Sequence, residues 1–301
     1  MNILITGIHG FVGSNTISTL KENHTIYGLD IIFPEKEGVK KTFSWEELNE
    51  IPKVDAIIHL AGKAHSIPKT EAEKQAFFDV NYQGTINLCK GLERLGLPKS
   101  FIFVSTVAVY GREEGENISE NHPLSGNTPY ALSKIQAEQY LMEWCEKNQI
   151  ILSILRPSLI VGANPSGNLG AMINGIKNGK YFSIAGGKAR KSMLMVNDIA
   201  RIFPALVEKG GIYNVCDDTH PSFRELEILI SSQLGKKKPI SIPYWLAKSM
   251  ALTGDLLGER ASINSTKLKK ITESLTFSNE KAKKELSWQP LSVLENFKIT
   301  E

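Results

Sequence analysis

Thr6-Gly7-Ile8-His9-Gly10-Phe11-Val12-Gly13 is the stretch of this 301-residue chain that decides its fold. The apolar run Ile3-Leu4-Ile5 before it reads as a buried strand. After it, apolar or small residues at Phe11, Ser14, Asn15, Ile17, Ser18 and Leu20 recur at helical spacing. A strand, a turn with glycines spaced G-x-x-G-x-x-G and a helix make an arrangement that grips phosphate. Gly7 permits the sharp turn, Gly10 leaves room for a pyrophosphate against the backbone, and Gly13 lets the helix pack closely on the strand. The helix N-terminus then aims free N–H groups and a positive dipole end at the anion. The plain alternative is an ordinary glycine-rich turn, and the strand before and helix after favour the phosphate reading.

Outward from this turn, apolar runs at 2–6, 26–31, 54–60, 101–105 and 150–155 alternate with helical patterns at 11–22, 71–95 and 130–147. Such alternation predicts an α/β fold, a doubly wound parallel sheet with helices on both faces and ligands beyond the carboxyl ends of its strands. After Arg156 the pattern loosens. Residues 162–167 form a loop by composition, and Ser222-Phe223-Arg224-Glu225 is a capping-box helix start.

Composition excludes several classes. Hydrophobic residues make up 42% and charged residues 22%, ordinary for a globular protein, and a net charge of +3 gives no reason to expect a nucleic-acid partner. The lysine clusters at 236–238, 267–270 and 281–284 are expected on solvated faces. Cys89, Cys145 and Cys216 lie far apart with no metal spacing, so reduced thiols and no metal are expected. No basic leader or cleavage site precedes the first strand, and no apolar stretch is long enough to span a bilayer. The nearest candidate, Tyr244 to Leu257, is interrupted by Lys248 and Asp255 and reads as an amphipathic helix. The expectation is a soluble cytoplasmic protein without a membrane partner.

Three further features carry chemistry. Asp30 ends the second apolar run about 20 residues beyond the glycine turn. There a carboxylate accepts hydrogen bonds from both ribose hydroxyls of an adenosine and repels a 2′-phosphate, which favours NAD over NADP; a surface aspartate is the plain alternative. Tyr130-Ala131-Leu132-Ser133-Lys134 puts a phenol and an ammonium on one helix face. A lysine and an oxidised nicotinamide both favour the phenolate, so the pair is expected to lower the phenol toward its working range. Ser105 and Thr106 end a buried strand, where a hydroxyl can bond a substrate oxygen or merely cap the strand.

With these residues in place the chain resembles the extended short-chain dehydrogenase/reductases, the NAD-dependent epimerase/dehydratase family of nucleotide-sugar enzymes. The resemblance rests on TGIHGFVG (6–13), Asp30, HLAG (59–62), Asn81, STVAVYG (105–111), YALSK (130–134) and RPSLIVG (156–162). RKSMLMVNDIA (190–200), YNV (213–215) and LTFSNEKAKKELSWQP (275–290) add to it.

The resemblance implies a Rossmann-type NAD-binding domain over 1–162 and about 191–217, and a smaller, discontinuous α/β domain over 163–190 and 218–301 that binds a nucleotide sugar. It implies Thr106, Tyr130 and Lys134 as the catalytic set. Gly7, His9, Gly10, Phe11, Val12, Gly13, Asp30, Leu60, Ala61, Gly62, Asn81, Ser105 and Pro157, with Tyr130 and Lys134, are implied at the cofactor. Thr106, Asn168 and either Arg190 or Lys191 are implied at the substrate; a solvated basic loop is the alternative for the last two.

Departures narrow the activity. The family's 4,6-dehydratases carry an Asp-Glu pair where this chain has Val107 and Ala108. Hexose 4-epimerases have an asparagine at the position of Leu159 and an R-x-G-D segment that this chain lacks. The expected activity is a 4-epimerase of a UDP-linked hexose or N-acetylhexosamine working through a 4-keto intermediate. A nucleotide 4-ketosugar reductase is the runner-up, and a non-catalytic dinucleotide-binding protein the alternative from another class. Phe77, Phe78, Leu88, Leu92, Leu141 and Trp144 form either a homodimer contact or core.

Overall fold

Strand β1 (Asn2–Thr6) sends Ile3 and Ile5 into one apolar cluster and Leu4 into another, the two-sided burial that a parallel sheet requires. The same division recurs along the neighbouring strands. In the computed structural model, which describes residues 1–64, 66–163, 165, 167–256 and 263–299, seven strands form one parallel sheet.

Helix α1 (Phe11–Leu20) follows β1. Then come β2 (Thr25–Leu29), the short β3 (Lys41–Phe43) and β4 (Ala56–His59). Helices α2 (Glu71–Phe78) and α3 (Gly84–Leu95) are joined by a π-helical turn over Asp79–Gln83. Strand β5 (Ser100–Val104), the small β6 (Gly115–Ile118), α4 (Pro129–Lys147) and β7 (Ile151–Pro157) complete the first half. The second half contains β8 (Leu159–Val161), α5 (Gly167–Lys177), β9 (Ser183–Ile184), β10 (Met193–Met195), α6 (Asp198–Lys209), β11 (Gly211–Val215) and α7 (Phe223–Gln233). It continues through β12 (Ser241–Ile242), α8 (Tyr244–Asp255), α9 (Ser265–Thr272), β13 (Leu275–Phe277), α10 (Glu280–Leu286) and α11 (Val293–Asn296).

The sheet order is β11-β7-β5-β4-β1-β2-β3. The chain reverses direction across the sheet between β1 and β4, and the crevice above that point is where such sheets bind ligands. Residues of α1, α6 and α10 fill the core on one face, and residues of α3 and α4 fill the other. The fold is therefore the doubly wound Rossmann type that the alternating pattern predicts.

Two strands carry no strong apolar signal. Edge strand β3 has one buried residue, Phe43, and β11 was marked only by Tyr213-Asn214-Val215. The expected capping box at Ser222 is present: its hydroxyl accepts from Glu225 N–H, and the Glu225 carboxylate accepts from Ser222 N–H.

Beyond the main sheet, β8 pairs with β10, β9 with β12 and β6 with β13. A third cluster under α5, α7 and α11, built on Ile173, Met193, Ile230 and Phe297, forms the centre of the C-terminal portion. The tail divides: Ala282, Leu286 and Trp288 join the core beneath β1, whereas Val293 and Phe297 join the third cluster. Phe77, Leu88, Leu92, Leu141 and Trp144 are buried within the single chain, which favours the core reading for them; Phe78 is half-buried. No helix among the described residues is long and apolar enough to cross a membrane.

Candidate active site

The glycine turn is bare for three different reasons. Gly7 lies at φ +68°, and a Cβ there would stand 2.9 Å from both Cα and N of Ala61, so the turn nests against the segment after β4. Its N–H donates to Leu29 O at 2.8 Å. A Cβ on Gly13 would meet Gly7 O at 2.3 Å and Ile8 Cα at 2.7 Å; the close packing is thus with the turn itself rather than with neighbouring strands. At Gly10 a Cβ would meet only Gly7 O, at 3.1 Å. Gly10 is also the N-cap of α1 and has no side-chain cap, which leaves the first N–H groups of the helix without a side-chain acceptor.

Asp30 lies buried one residue past β2. Its Oδ2 accepts from His9 N–H at 2.8 Å and its Oδ1 from Ile31 N–H at 2.7 Å, which fixes the carboxylate at the rim of the turn. The half-buried His9 leaves Nε2 as a buried atom without a hydrogen-bond partner. Val12 packs on the core, and the exposed Phe11 lies so near Gly162 that a Cβ there would be 3.0 Å from its Cζ.

Beneath the turn runs a hydrogen-bonded chain whose proton order is determined by its ends. At one end Ala61 N–H donates to Thr6 Oγ1 at 3.0 Å; at the other, Thr85 gives its proton to Asn81 O at 2.7 Å. The neutral His59 imidazole therefore has its proton on Nε2, which donates to Thr85 Oγ1 at 2.9 Å, and the Thr6 hydroxyl donates to Nδ1 at 2.6 Å. Burial, helped by the charge of Lys134, pushes the His59 imidazole down to about 3. In the sequence His59 stands out only as the first residue of His59-Leu60-Ala61-Gly62.

Asn81 sits in the π-helical turn and acts as a clamp. Its Oδ1 accepts from Lys63 N–H at 2.7 Å, and its Nδ2 donates to Lys63 O at 3.1 Å and Ser133 Oγ at 2.9 Å. Ser133 donates to Tyr130 O at 2.8 Å, so the loop after β4 is tied to the first turn of α4. Gly62 makes this possible, since a Cβ there would approach Asn81 Oδ1 to 3.0 Å and Lys134 Nζ to 3.5 Å.

Thr106, Tyr130 and Lys134 come together at the carboxyl end of β5. Lys134 is buried, donates to Val104 O at 2.8 Å and stands 4.4 Å above the centre of the Phe103 ring. Desolvation pushes the ammonium down to about 8, against the pull of Glu138. Thr106 accepts from Ala108 N–H at 3.1 Å, and its hydroxyl lies near the Tyr130 hydroxyl. Burial pushes the Tyr130 phenol above its ordinary range, and the nearby Thr106 hydroxyl only partly opposes it. The expectation of a lowered phenol is thus reversed in the protein alone: burial, with the Phe77 ring 6.2 Å away between ring centres, outweighs the nearby Thr106 hydroxyl.

The neighbouring hydroxyl does something else. Ser105 donates to Glu138, which also holds Arg156 through Nε at 3.1 Å and Nη2 at 2.6 Å in the interior. Arg156 donates to the Tyr110 hydroxyl at 3.1 Å, and Tyr110 donates to Asn214 Oδ1 at 2.6 Å. Ser105 is therefore engaged with this buried network rather than left open toward the crevice. Pro157 ends β7 opposite Val215. The spacing Tyr130-x-x-x-Lys134-x-x-x-Glu138 signals the network in the sequence, because all three share one helix face.

The residues expected at the substrate separate. Asn168 is exposed on α5. Arg190 donates to Thr219 O at 3.2 Å, His220 O at 2.9 Å and Glu225 Oε2 at 3.3 Å, so its guanidinium is committed to the chain's own loop. Lys191 points elsewhere, half-buried, with its ammonium lowered by desolvation.

Residues 3–216 match the family model described as the NAD dependent epimerase/dehydratase family. The chain belongs to this family. A further epimerase/dehydratase family likeness is to an Escherichia coli O157:H7 N-acetyl-alpha-D-glucosaminyl-diphospho-ditrans,octacis-undecaprenol 4-epimerase, 29% identical over 92% of this chain and 87% of that one. A Pseudomonas aeruginosa GDP-6-deoxy-D-mannose reductase is 27% identical over 76% of this chain and 79% of that one. Among solved structures, a Thermotoga maritima UDP-glucose 4-epimerase with UDP-glucose superposes with a TM-score of 0.76 at 22% identity, covering 98% of this chain and 96% of that one.

The site fits the family's dinucleotide. The bare glycine cradle and the open first turn of α1 lie beside Asp30, whose two oxygens retain acceptor capacity, and His9 of the same turn keeps a buried Nε2 without a partner. NAD is the cofactor of this family, and it is these residues that would hold it.

Proposed function

We propose that the chain is an NAD-dependent 4-epimerase of a sugar carried on a diphosphate, with a UDP-linked hexose or N-acetylhexosamine as the first reading of the substrate. One observation carries it: Thr106, Tyr130 and Lys134 gather at the carboxyl end of β5, in the same parallel sheet whose β1 end carries the glycine turn and whose β2 end carries Asp30. When bound, NAD supplies an acceptor for the hydride at carbon 4 and returns it. Tyr130 takes the proton of the sugar 4-hydroxyl, and Thr106 bonds the same oxygen and steadies the phenolate. Lys134 supplies the positive charge that offsets desolvation of Tyr130. The resulting 4-keto sugar turns over so that carbon 4 presents its opposite face to the hydride, and Tyr130 returns the proton to the same oxygen. Asp30, which accepts from ribose hydroxyls and repels a 2′-phosphate, favours NAD over NADP. Val107 and Ala108 cannot exchange protons, which disfavours water elimination.

A second reading keeps the chemistry and changes the carrier. The E. coli relative is named for a sugar diphosphate on undecaprenol, and here Arg190 is committed to carbonyls and Glu225. Both observations favour a diphosphate whose far end is a polyprenol. Reduction of a 4-keto sugar in one direction would use the same three side chains.

The test is a panel of UDP-, dTDP- and GDP-sugars and polyprenyl-diphosphate sugars, analysed for products with and without added NADH or NADPH. Turnover at carbon 4 without added cofactor, lost in Tyr130→Phe, supports the epimerase. Turnover of 4-keto sugars alone, dependent on added NADH or NADPH, establishes the reductase instead. Full activity in Tyr130→Phe removes the assignment.

A further inference from the structure

Helix α8 is built inside out. Its buried residues are the small ones, Ala247, Ala251 and Gly254, spaced i, i+4 and i+7 on one stripe against α9 and β12. The large apolar residues are outside. Trp245, Leu252 and Leu256 are 69%, 58% and 88% exposed, and their i, i+7, i+11 spacing puts them on the line opposite the buried stripe. This inverts the amphipathic helix that the sequence implied over Tyr244 to Leu257. The exposed face extends past the helix. In the β9–β12 ladder, Ser183 N–H donates to Ile240 O at 3.0 Å, so Phe182 and the 73%-exposed Ile240 stand next to each other just before Tyr244.

The charges that flank this patch are mostly lysines. Lys180 precedes Phe182, Lys236, Lys237 and Lys238 precede Ile240, and Lys248 lies on α8 itself. All five are exposed, and none lies within ion-pair distance of a carboxylate among the described residues. The one acidic residue of α8, Asp255, is exposed but engaged by Ser265, accepting its N–H at 2.8 Å and its hydroxyl at 2.6 Å. Exposed tryptophan and tyrosine at an apolar face, ringed by unpaired lysines, is the pattern of a helix lying in the headgroup layer of a membrane. A second copy of this chain would bring the same lysines against each other, whereas anionic phospholipid neutralises them.

We propose that the α8 face, with Phe182 and Ile240, is a docking surface for an anionic lipid bilayer. The protein rides on the membrane rather than crossing it, and the absence of a spanning apolar run has no bearing on such contact. The surface is distinct from the crevice of the Rossmann sheet and stands whether or not carbon 4 is the reacting centre. Combined with the polyprenyl-carrier reading, it keeps the enzyme where a lipid-linked sugar diphosphate resides.

The experiment is co-sedimentation of the full chain with vesicles of phosphatidylglycerol and phosphatidylcholine, against vesicles of phosphatidylcholine alone. Binding is expected to the anionic vesicles, to weaken as salt is raised, and to fall about tenfold in Trp245→Ser/Leu252→Ser and in Lys236→Glu/Lys237→Glu/Lys238→Glu. Unchanged melting temperature and NAD binding in both variants show that the fold and the crevice survive. Failure of the wild-type chain to sediment with anionic vesicles overturns the proposal. So does a wild-type dimer that the Trp245/Leu252 variant dissociates, since the face would then be an interface between copies. Loss of epimerase activity on every sugar with vesicle binding intact removes the functional reading and leaves the docking surface standing.

Discussion

His59 accepts the Thr6 hydroxyl at Nδ1, 2.6 Å away, directly below the glycine turn, because Thr85 spends its own proton on Asn81 O and leaves the imidazole proton on Nε2. The same ring donates toward Thr85 and so toward the turn that carries Asn81. A protonated ring would put two donors in that chain and break it at Thr6.

This relationship makes a prediction about acid stability. The ring titrates near 3 in the folded chain and at 6.5 in the ordinary case. Between those values the unfolded chain binds a proton that the native chain does not, so stability falls as pH drops through that window. Denaturant unfolding of wild type and His59→Gln at about pH 7 and about pH 4.5 should differ in slope by about 2–3 kcal/mol, with the variant less sensitive. Equal sensitivity in the two proteins would mean that His59 is not buried neutral.

Tyr130 and Lys134 are displaced in directions that oppose catalysis by the protein alone. Burial raises the phenol, and the ammonium falls to about 8. Ultraviolet difference titration should find no Tyr130 phenolate at neutral pH in the free protein, a phenolate appearing when NAD binds, and no such signal in Tyr130→Phe. Turnover should decline above about pH 8 as Lys134 loses its charge. A neutral-pH phenolate in the free protein would contradict the dominance of desolvation here.

Glu138 and Arg156 are paired in the interior, and Glu138 also receives Ser105 and faces Lys134. Removing one partner strands the other charge, so Glu138→Gln should cost about 3–5 kcal/mol in denaturant unfolding. It should also lower the Lys134 ammonium further, moving the alkaline limb of turnover to lower pH. A destabilised variant with an unmoved limb would limit Glu138 to holding Arg156.

The three glycines should fail differently. Gly13→Ala drives a methyl to 2.3 Å from Gly7 O, so the turn must shift, with about 1–3 kcal/mol lost in thermal or denaturant unfolding. Gly10→Ala meets only one atom, at 3.1 Å, and should leave the melting temperature nearly unchanged while weakening NAD binding measured by calorimetry. The reverse order would show that the pyrophosphate does not lie over Gly10.

What could be read before any coordinates were features that a short piece of chain encodes. Gly7, Gly10 and Gly13 lie within one turn, Tyr130 and Lys134 within one helical turn, and Asp30 follows its own strand. Strand β3 escaped notice because three residues with one buried side chain carry no period. The π-helical turn at Asp79–Gln83 lies within one continuous helical pattern and changes only which carbonyl each N–H reaches.

Other features depend on partners far apart in sequence. Arg190 and Lys191 are adjacent and equally basic, yet contacts at Thr219, His220 and Glu225 occupy one and not the other. Ser105 and Thr106 are adjacent hydroxyls, and only the position of Glu138 on α4 separates their roles.

By itself, then, the sequence determined the doubly wound sheet, the glycine turn and the shared helix face of Tyr130 and Lys134, because backbone conformation and side-chain periodicity are local properties. Tertiary structure alone decided which groups are charged and which are engaged. It set the neutral His59, the raised Tyr130, the commitment of Arg190 and the outward face of Trp245, Leu252 and Leu256 on α8. Desolvation and hydrogen-bond competition depend on what folds against a residue, and the residue's own stretch of chain does not record that.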